Sequence, residues 1–190
     1  EIVRGPSSVA YGNGAMGGVI HLLLDTATPT AGAFHGAADA RASFASADLG
    51  DIPFYNADLT AKPASVVRVL AQMGAADAFV FACPEYNYSL APALKNILDW
   101  ASRKPENALI SGKTASIMGA GGGMGTSRSQ YHLRQVCVFL NLHLLNRPEV
   151  FSNAFAGAFD ADGNLTDAKI ATLVGEQMHA LAHWTRRIKG

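Results

Sequence analysis

The sequence predicts an α/β domain built on a parallel sheet with helices on both of its faces. Two apolar runs, at Asp77–Cys83 and Thr114–Gly119, are short and poor in charged residues, as strands buried on both faces must be, and Leu144–Val150 is a further strand candidate. Stretches with helical periodicity follow or separate them, and strands alternating with helices of about ten or more residues favour parallel pairing. At 190 residues, 49% of them hydrophobic, the chain is long enough for one domain with a sizeable core, so residues 1–190 are expected to form a single unit.

Taken in order, Gly18–Asp25 (GVIHLLLD) is apolar enough for a central strand, and Arg41–Asp51 alternates enough for an outer one. Between them a Thr-, Gly- and Ala-rich stretch carries turn signals at Pro29 and Gly32 and at best a short helix, 33–42. Thr60 is positioned to cap a helix with Pro63 in its first turn and Val66, Val67, Leu70 and Met73 as its apolar stripe, ending near Gly74. The strand after Asp77 stops at Pro84, and a polar, aromatic loop leads to Ser89 as a candidate N-cap. The next helix tolerates Pro92 in its first turn and carries Leu94, Leu98 and Ala101 on one face. TASIMG, Thr114–Gly119, opens into a glycine-rich loop, and a helix follows over 127–142. Leu144–Val150 is a fifth strand, the turn FDADGN follows, and a last helix covers 166–189. The simplest architecture is a flavodoxin-like three-layer sandwich with a five-stranded parallel sheet and an atypical N-terminal βα unit.

Composition excludes several function classes. Fifteen basic residues balance fifteen acidic ones, and no cluster is denser than Arg186, Arg187 and Lys189, so neither nucleic acid nor an anionic membrane is an expected partner. Cys83 and Cys137 lie far apart in apolar runs, which reads as buried thiols in a reducing, cytoplasmic compartment. No run approaches the length of a spanning helix, and no basic-then-apolar leader is present. The chain opens on Glu1 rather than Met, so a fragment or processed form is expected. His179 and His183 have the i, i+4 spacing of a two-histidine site, but the intervening glutamate of H-E-x-x-H is absent and no metal is expected. Trp100 and Trp184 read as packing anchors, and no G-x-S-x-G elbow occurs.

The run CPEYNYSLAPALKNILDWASR together with SGKTASIMGAGGGMGTSRSQYHLRQ resembles the NADPH-dependent FMN reductase family, in particular its quinone and chromate reductase branch. The resemblance begins near DLGDIPFYNADL and covers residues 48–190. It implies an FMN-dependent enzyme that oxidises NADPH or NADH and passes electrons to quinones or similar small acceptors by a ping-pong mechanism, with no side chain as nucleophile. Pro84, Glu85, Tyr86 and Asn87 would run along the isoalloxazine ring, and Gly119, Gly121, Gly122 and Gly123 would bring backbone to its pyrimidine side. Donors aimed at N1, O2 and N5 suit the charge and proton that the ring takes up on reduction. The nicotinamide would stack above Asn87 and Gly121, and Arg128, Gln130 and Tyr131 would serve the rim and subunit contacts. Gly121, Gly123 and Thr126 match G-x-G-x-x-G only loosely, so a dinucleotide fingerprint is rejected. An arginine at a helix start runs against the dipole, which argues for an acidic partner to Arg128. Leu94, Ile97, Leu98 and Trp100 place apolar residues on more than one face of their helix, so a homodimer or homotetramer is expected.

Residues 1–48 depart from that family. EIVRGPSSVAYGNGAMGGVIHLLLD is similar to the plug segment of TonB-dependent outer-membrane receptors, through Glu1, Arg4, Gly5, Pro6, Ser8, Tyr11, Gly12, Ala15 and the Gly17–Ile20 run. Recombination, engineering or a mis-started reading frame would each leave such a junction. The rest lacks the repeated alternating segments of a membrane barrel, which excludes a pore. The reductases' phosphate motif, G-S-x-R-x-x-S-x-N, is absent. Its nearest stand-in is GPSSVAYGN, with Ser7, Ser8 and Asn13; a second candidate, DTATPTAGAFH, offers Thr26, Thr28 and Thr30 beside Asp25. The alternative to an enzyme is therefore a flavodoxin-like interaction module that has lost flavin binding, and a third reading is a plug-derived binding fragment.

Overall fold

The computed structural model describes residues 18–24, 34–36 and 40–190, with side chains from residue 44 onward. In chain order the elements are β1 (Gly18–Leu24), β2 (Phe34–Gly36), β3 (Ala40–Ala47), α1 (Ala64–Ala75), β4 (Ala78–Ala82), β5 (Glu85–Tyr86), β6 (Ser89–Leu90), α2 (Pro92–Ala101), α3 (Asn107–Ile110), β7 (Thr114–Gly121), α4 (Ser127–Phe139), β8 (His143–Leu144), β9 (Val150–Asn153) and α5 (Ala168–Lys189).

One sheet of seven strands runs β2-β3-β1-β4-β7, with β8 and β9 both continuing from β7. Phe79 pairs with Ala115 and Phe81 with Ile117 in parallel, and β8 and β9 lie parallel to β7 as well. The parallel, flavodoxin-like half is thus as the sequence predicts. The N-terminal half differs in direction: β1 is central, but it runs antiparallel to both β3 and β4. A parallel neighbour requires a covered crossover, usually a helix, whereas an antiparallel one requires only a short link. The Thr/Gly/Ala-rich sequence after β1 lacks the apolar periodicity that a crossover helix needs. The short helix expected over 33–42 is replaced by strand at Phe34–Gly36 and from Ala40 onward, the two strands pairing antiparallel. The fifth strand splits into β8 and β9 around Arg147–Pro148, since proline cannot donate to a ladder.

Alternation along β4 divides the core. Phe79 and Phe81 point into the larger cluster with Val66, Val69, Leu70 and Met73 of α1, Leu94, Ile97 and Leu98 of α2, and Leu133 and Cys137 of α4. Ala78 and Val80 point the other way, against Leu181 and Ala182 of α5. These are the three layers. Val69 replaces Val67 in the buried stripe of α1, because Val67 is one position off the i, i+3, i+4, i+7 rhythm and is 52% exposed.

The helix ends also differ from expectation. Pro63, not Thr60, stands at the start of α1, and Ala91, not Ser89, at that of α2; neither makes a side-chain cap. In α5 Asp167 caps, accepting from the Lys169 and Ile170 amides at 2.8 and 3.2 Å. Ile97 and Trp100 of α2 are covered within the chain itself, Trp100 donating its indole N–H to the Pro53 carbonyl at 2.9 Å. The second apolar face of α2 is closed by the loop after β3, whose Tyr55 packs edge-on against Trp100 with ring centroids 5.0 Å apart. It therefore gives no support to a dimer through α2.

Candidate active site

Open α/β sheets bind ligands beyond the carboxyl ends of their strands. Here β4 and β7 leave the sheet side by side, the Cys83 amide donating to the Met118 carbonyl at 2.9 Å, and their loops form two walls. The first wall is more ordered than a polar loop. Glu85 pairs with Leu90 and Tyr86 with Ser89, so β5 and β6 make a small hairpin closed by Asn87 and Tyr88. Both closing residues are left-handed, at φ 48° and 68°. A two-residue turn of this kind follows the strand twist, and asparagine tolerates it, but tyrosine in place of the usual glycine is strained. Arg128 offsets that strain: its guanidinium carbon lies 3.7 Å from the Tyr88 ring centroid.

The second wall is the glycine turn. At Gly119 a Cβ would meet the Cys83 carbonyl and the Thr126 hydroxyl inside 3.0 Å, and at Gly121 it would meet the Gly125 carbonyl. These two glycines let the chain pack on itself. Gly122 and Gly123 are different: they are exposed and a Cβ on either meets nothing within 4 Å. Bare backbone facing open space is what a flat ring needs to approach closely, so the ring of a flavin fits these walls.

Glu85 joins the walls. Its carboxylate accepts from Arg128 Nε at 2.6 Å and from the Arg128 and Ser129 amides at 3.1 and 3.3 Å. The acidic partner that the position of Arg128 calls for is thus Glu85, which satisfies the first turn of α4. Both oxygens of Glu85 face protein, so this side chain organises the site rather than touching a ligand. Behind it, Gln130 is buried and donates to Thr126 Oγ1 and to the Val150 carbonyl, each at 2.9 Å, tying the glycine turn to β9. Gln130 therefore belongs to the interior and not to the rim. Its bonding leaves no trace in the sequence, where it is one polar residue in a helix start. Pro84 is buried at the base, Tyr86 half-buried, Asn87 exposed, and Tyr131 and Tyr88 lie on the outer rim with Met124. Ser7, Ser8 and Asn13, like Thr26, Thr28 and Thr30, lie outside the described residues. The register bears on them nonetheless. Gly18 pairs with Ala82, so the chain enters β1 at the carboxyl edge of β4 and leaves it at the other.

The two thiols are inert. Burial raises both, and it pushes Cys137 from an ordinary 9.0 up to about 12. A thiol whose pKa is higher folded than unfolded holds its proton longer when folded, so it contributes nothing to the pH dependence at neutral pH. It costs stability once the pH passes the unfolded value. The melting temperature is expected to fall as pH rises from about 9 to about 11, and to fall less in Cys137→Ala. Equal slopes in a pH series of thermal melts would contradict this. His179 and His183 remain on α5, and among the described residues no group of three or more His, Cys, Asp or Glu side chains converges.

Comparison with known proteins agrees with this geometry. The sequence model for NADPH-dependent FMN reductases matches residues 13–157. An NAD(P)H-dependent FMN reductase of Pseudomonas aeruginosa is 52% identical over 147 residues, 76% of this chain and 79% of that protein. An NAD(P)H:quinone oxidoreductase of Solanum tuberosum is 45% identical over 148 residues, 75% of each, and a quinone reductase of Escherichia coli is 36% identical over 146 residues, 74% and 77%. The structure of FerB, a flavoenzyme NAD(P)H:(acceptor) oxidoreductase from Paracoccus denitrificans, superposes with a TM-score of 0.65 at 30% identity, over 74% of this chain and 79% of that one. With walls, order of elements and relatives in agreement, the chain belongs to the NADPH-dependent FMN reductase family.

Proposed function

We propose that the protein is an FMN-dependent NAD(P)H oxidoreductase that reduces quinones. The observation that carries this is the pairing of the Glu85–Leu90 hairpin with the open backbone at Gly122 and Gly123, beyond the carboxyl ends of adjacent parallel strands. Bound between them, FMN would supply the acceptance of a hydride and its onward transfer as electrons. The chain's own residues bind and orient. Pro84 and Tyr86 give the base of the slot, Asn87 and the glycine backbone give polar edges to the ring, and Glu85 with Arg128 fixes the distance between the walls. The rim residues Tyr88 and Met124, 66% and 62% exposed, suit a flat, uncharged acceptor such as a quinone.

One slot that serves the nicotinamide and then the acceptor leads to ping-pong kinetics. Initial rates at several quinone concentrations should give parallel double-reciprocal lines with FMN supplied. Intersecting lines would remove the single-slot mechanism, and protein that does not oxidise NADPH or NADH with FMN present would remove the enzyme. The flavodoxin-like binding module would then be the better reading.

We place the protein in the cytoplasm, on the support of its two free, buried cysteines. A homodimer or homotetramer is supported by α4, where Tyr131, Val138 and Phe139 leave 56%, 79% and 76% of their surface exposed. For residues 1–48 we propose a foreign origin, on the sequence similarity to receptor plugs and the reversed direction of β1.

A further inference from the structure

We propose that His132 is a positioning residue: through Ser89 it clasps the second strand of the hairpin to α4 and so sets where Tyr86 stands in the flavin slot. This rests on the reading above that the site takes a flavin. Strands as short as Glu85–Tyr86 and Ser89–Leu90 cannot hold a wall in place by their own pairing, since even longer isolated hairpins are marginal in water. The left-handed Asn87 and Tyr88 between them add to the cost. The wall therefore needs fastening from outside, and α4 is the element it packs on.

Arg128 fastens only part of it. Its guanidinium holds Glu85 of β5 and lies over Tyr88 of the turn, and both of these come before β6. One turn further along the same face of α4 stands His132, whose Nδ1 lies 3.1 Å from Ser89 Oγ. With the ring proton on Nε2, Nδ1 accepts from the Ser89 hydroxyl. Ser89 is the cross-strand partner of Tyr86, so a shift of one carries the other with it. Both strands of the hairpin are thus tied to one helix, and Gln130 ties that helix to the glycine turn by donating to Thr126 Oγ1. The spacing of the two walls is then a property of α4, with His132 acting on the ring only through Ser89 and Tyr86.

The test is a double-mutant cycle on the full-length protein, with FMN dissociation constants followed by flavin fluorescence and urea midpoints measured beside them. Ser89→Ala and His132→Ala should each weaken FMN binding by about three- to tenfold, the loss of one hydrogen bond, and the double variant should be no weaker than the worse single one. His132→Asn provides the second arm, since its side-chain amide reaches the place of Nδ1, and it should restore the parental constant to within about twofold. His132→Gln, whose amide reaches the place of Nε2 instead, should not. Unchanged affinity in the single variants, a double variant as weak as the two losses multiplied, or a His132→Asn as weak as His132→Ala overturns the inference and leaves the flavin reading standing. Affinities that merely track the urea midpoints across the series overturn it as well, because they report a fold loosened as a whole. Parental protein that binds no FMN overturns both.

Discussion

Gly119→Val is expected to abolish NAD(P)H oxidation and to cost the fold on the order of 3 kcal/mol, an overpacking penalty at the upper end of the usual range. The new Cβ would press on the Cys83 carbonyl and the Thr126 hydroxyl. Neither can give way cheaply. The carbonyl belongs to backbone pinned at the end of β4, where the same residue's amide bonds to Met118, and Thr126 is held by Gln130. Relief requires the two walls of the slot to separate. Gly122→Ala is the matched control: nothing lies within 4 Å of its Cβ, so stability should stay within about 0.5 kcal/mol of the parent. Activity should fall all the same, if bare backbone at Gly122 is what admits the ring. Urea midpoints and NADPH oxidation rates on both variants decide the matter, and a stable, active Gly119→Val would show that the walls can part without consequence.

Glu85→Ala should lower stability by about 2 to 3 kcal/mol, less than the full cost of breaking a buried pair because Arg128 is partly exposed. Two amides in the first turn of α4 lose their acceptor, and Arg128 loses the anchor that keeps it over Tyr88. The left-handed Tyr88 then has no compensation, and the hairpin is expected to loosen. Flavin affinity should drop more than the turnover of whatever enzyme remains loaded. Denaturation curves and kinetics at saturating FMN separate the two effects. Unchanged flavin affinity would mean that the hairpin is set by β5–β6 pairing alone.

Most of the scaffold was legible because it is written in periodicity. Phe79–Phe81 and the Thr114 run have only one way to bury themselves, whereas the second apolar face of α2 reads as a subunit contact and is closed by the loop after β3. Strand direction is another matter. An apolar run such as GVIHLLL reads the same in either sense, and the short helix expected over 33–42 pointed to a crossover and so to a parallel β1. The site was legible as loops, through the resemblance, but not as geometry. Nothing local says that Asn87 and Tyr88 close a two-residue turn, since glycine is absent, or that Glu85 spends its charge on a helix forty residues away. Those facts depend on α4 lying where the tertiary fold puts it.

The direction of β1 carries one more consequence. Strands β3 and β4 are parallel to each other and joined through α1, with β1 slotted between them in the reverse sense. They form a conventional crossover unit with a vacancy one strand wide, and β1 is its tenant. Such a vacancy is defined by two rows of backbone donors and acceptors more than by side chains, so it can be filled by a strand supplied separately. A sheet with such a vacancy can accept a leading strand of unrelated sequence, since its neighbours ask for backbone partners and not for particular side chains.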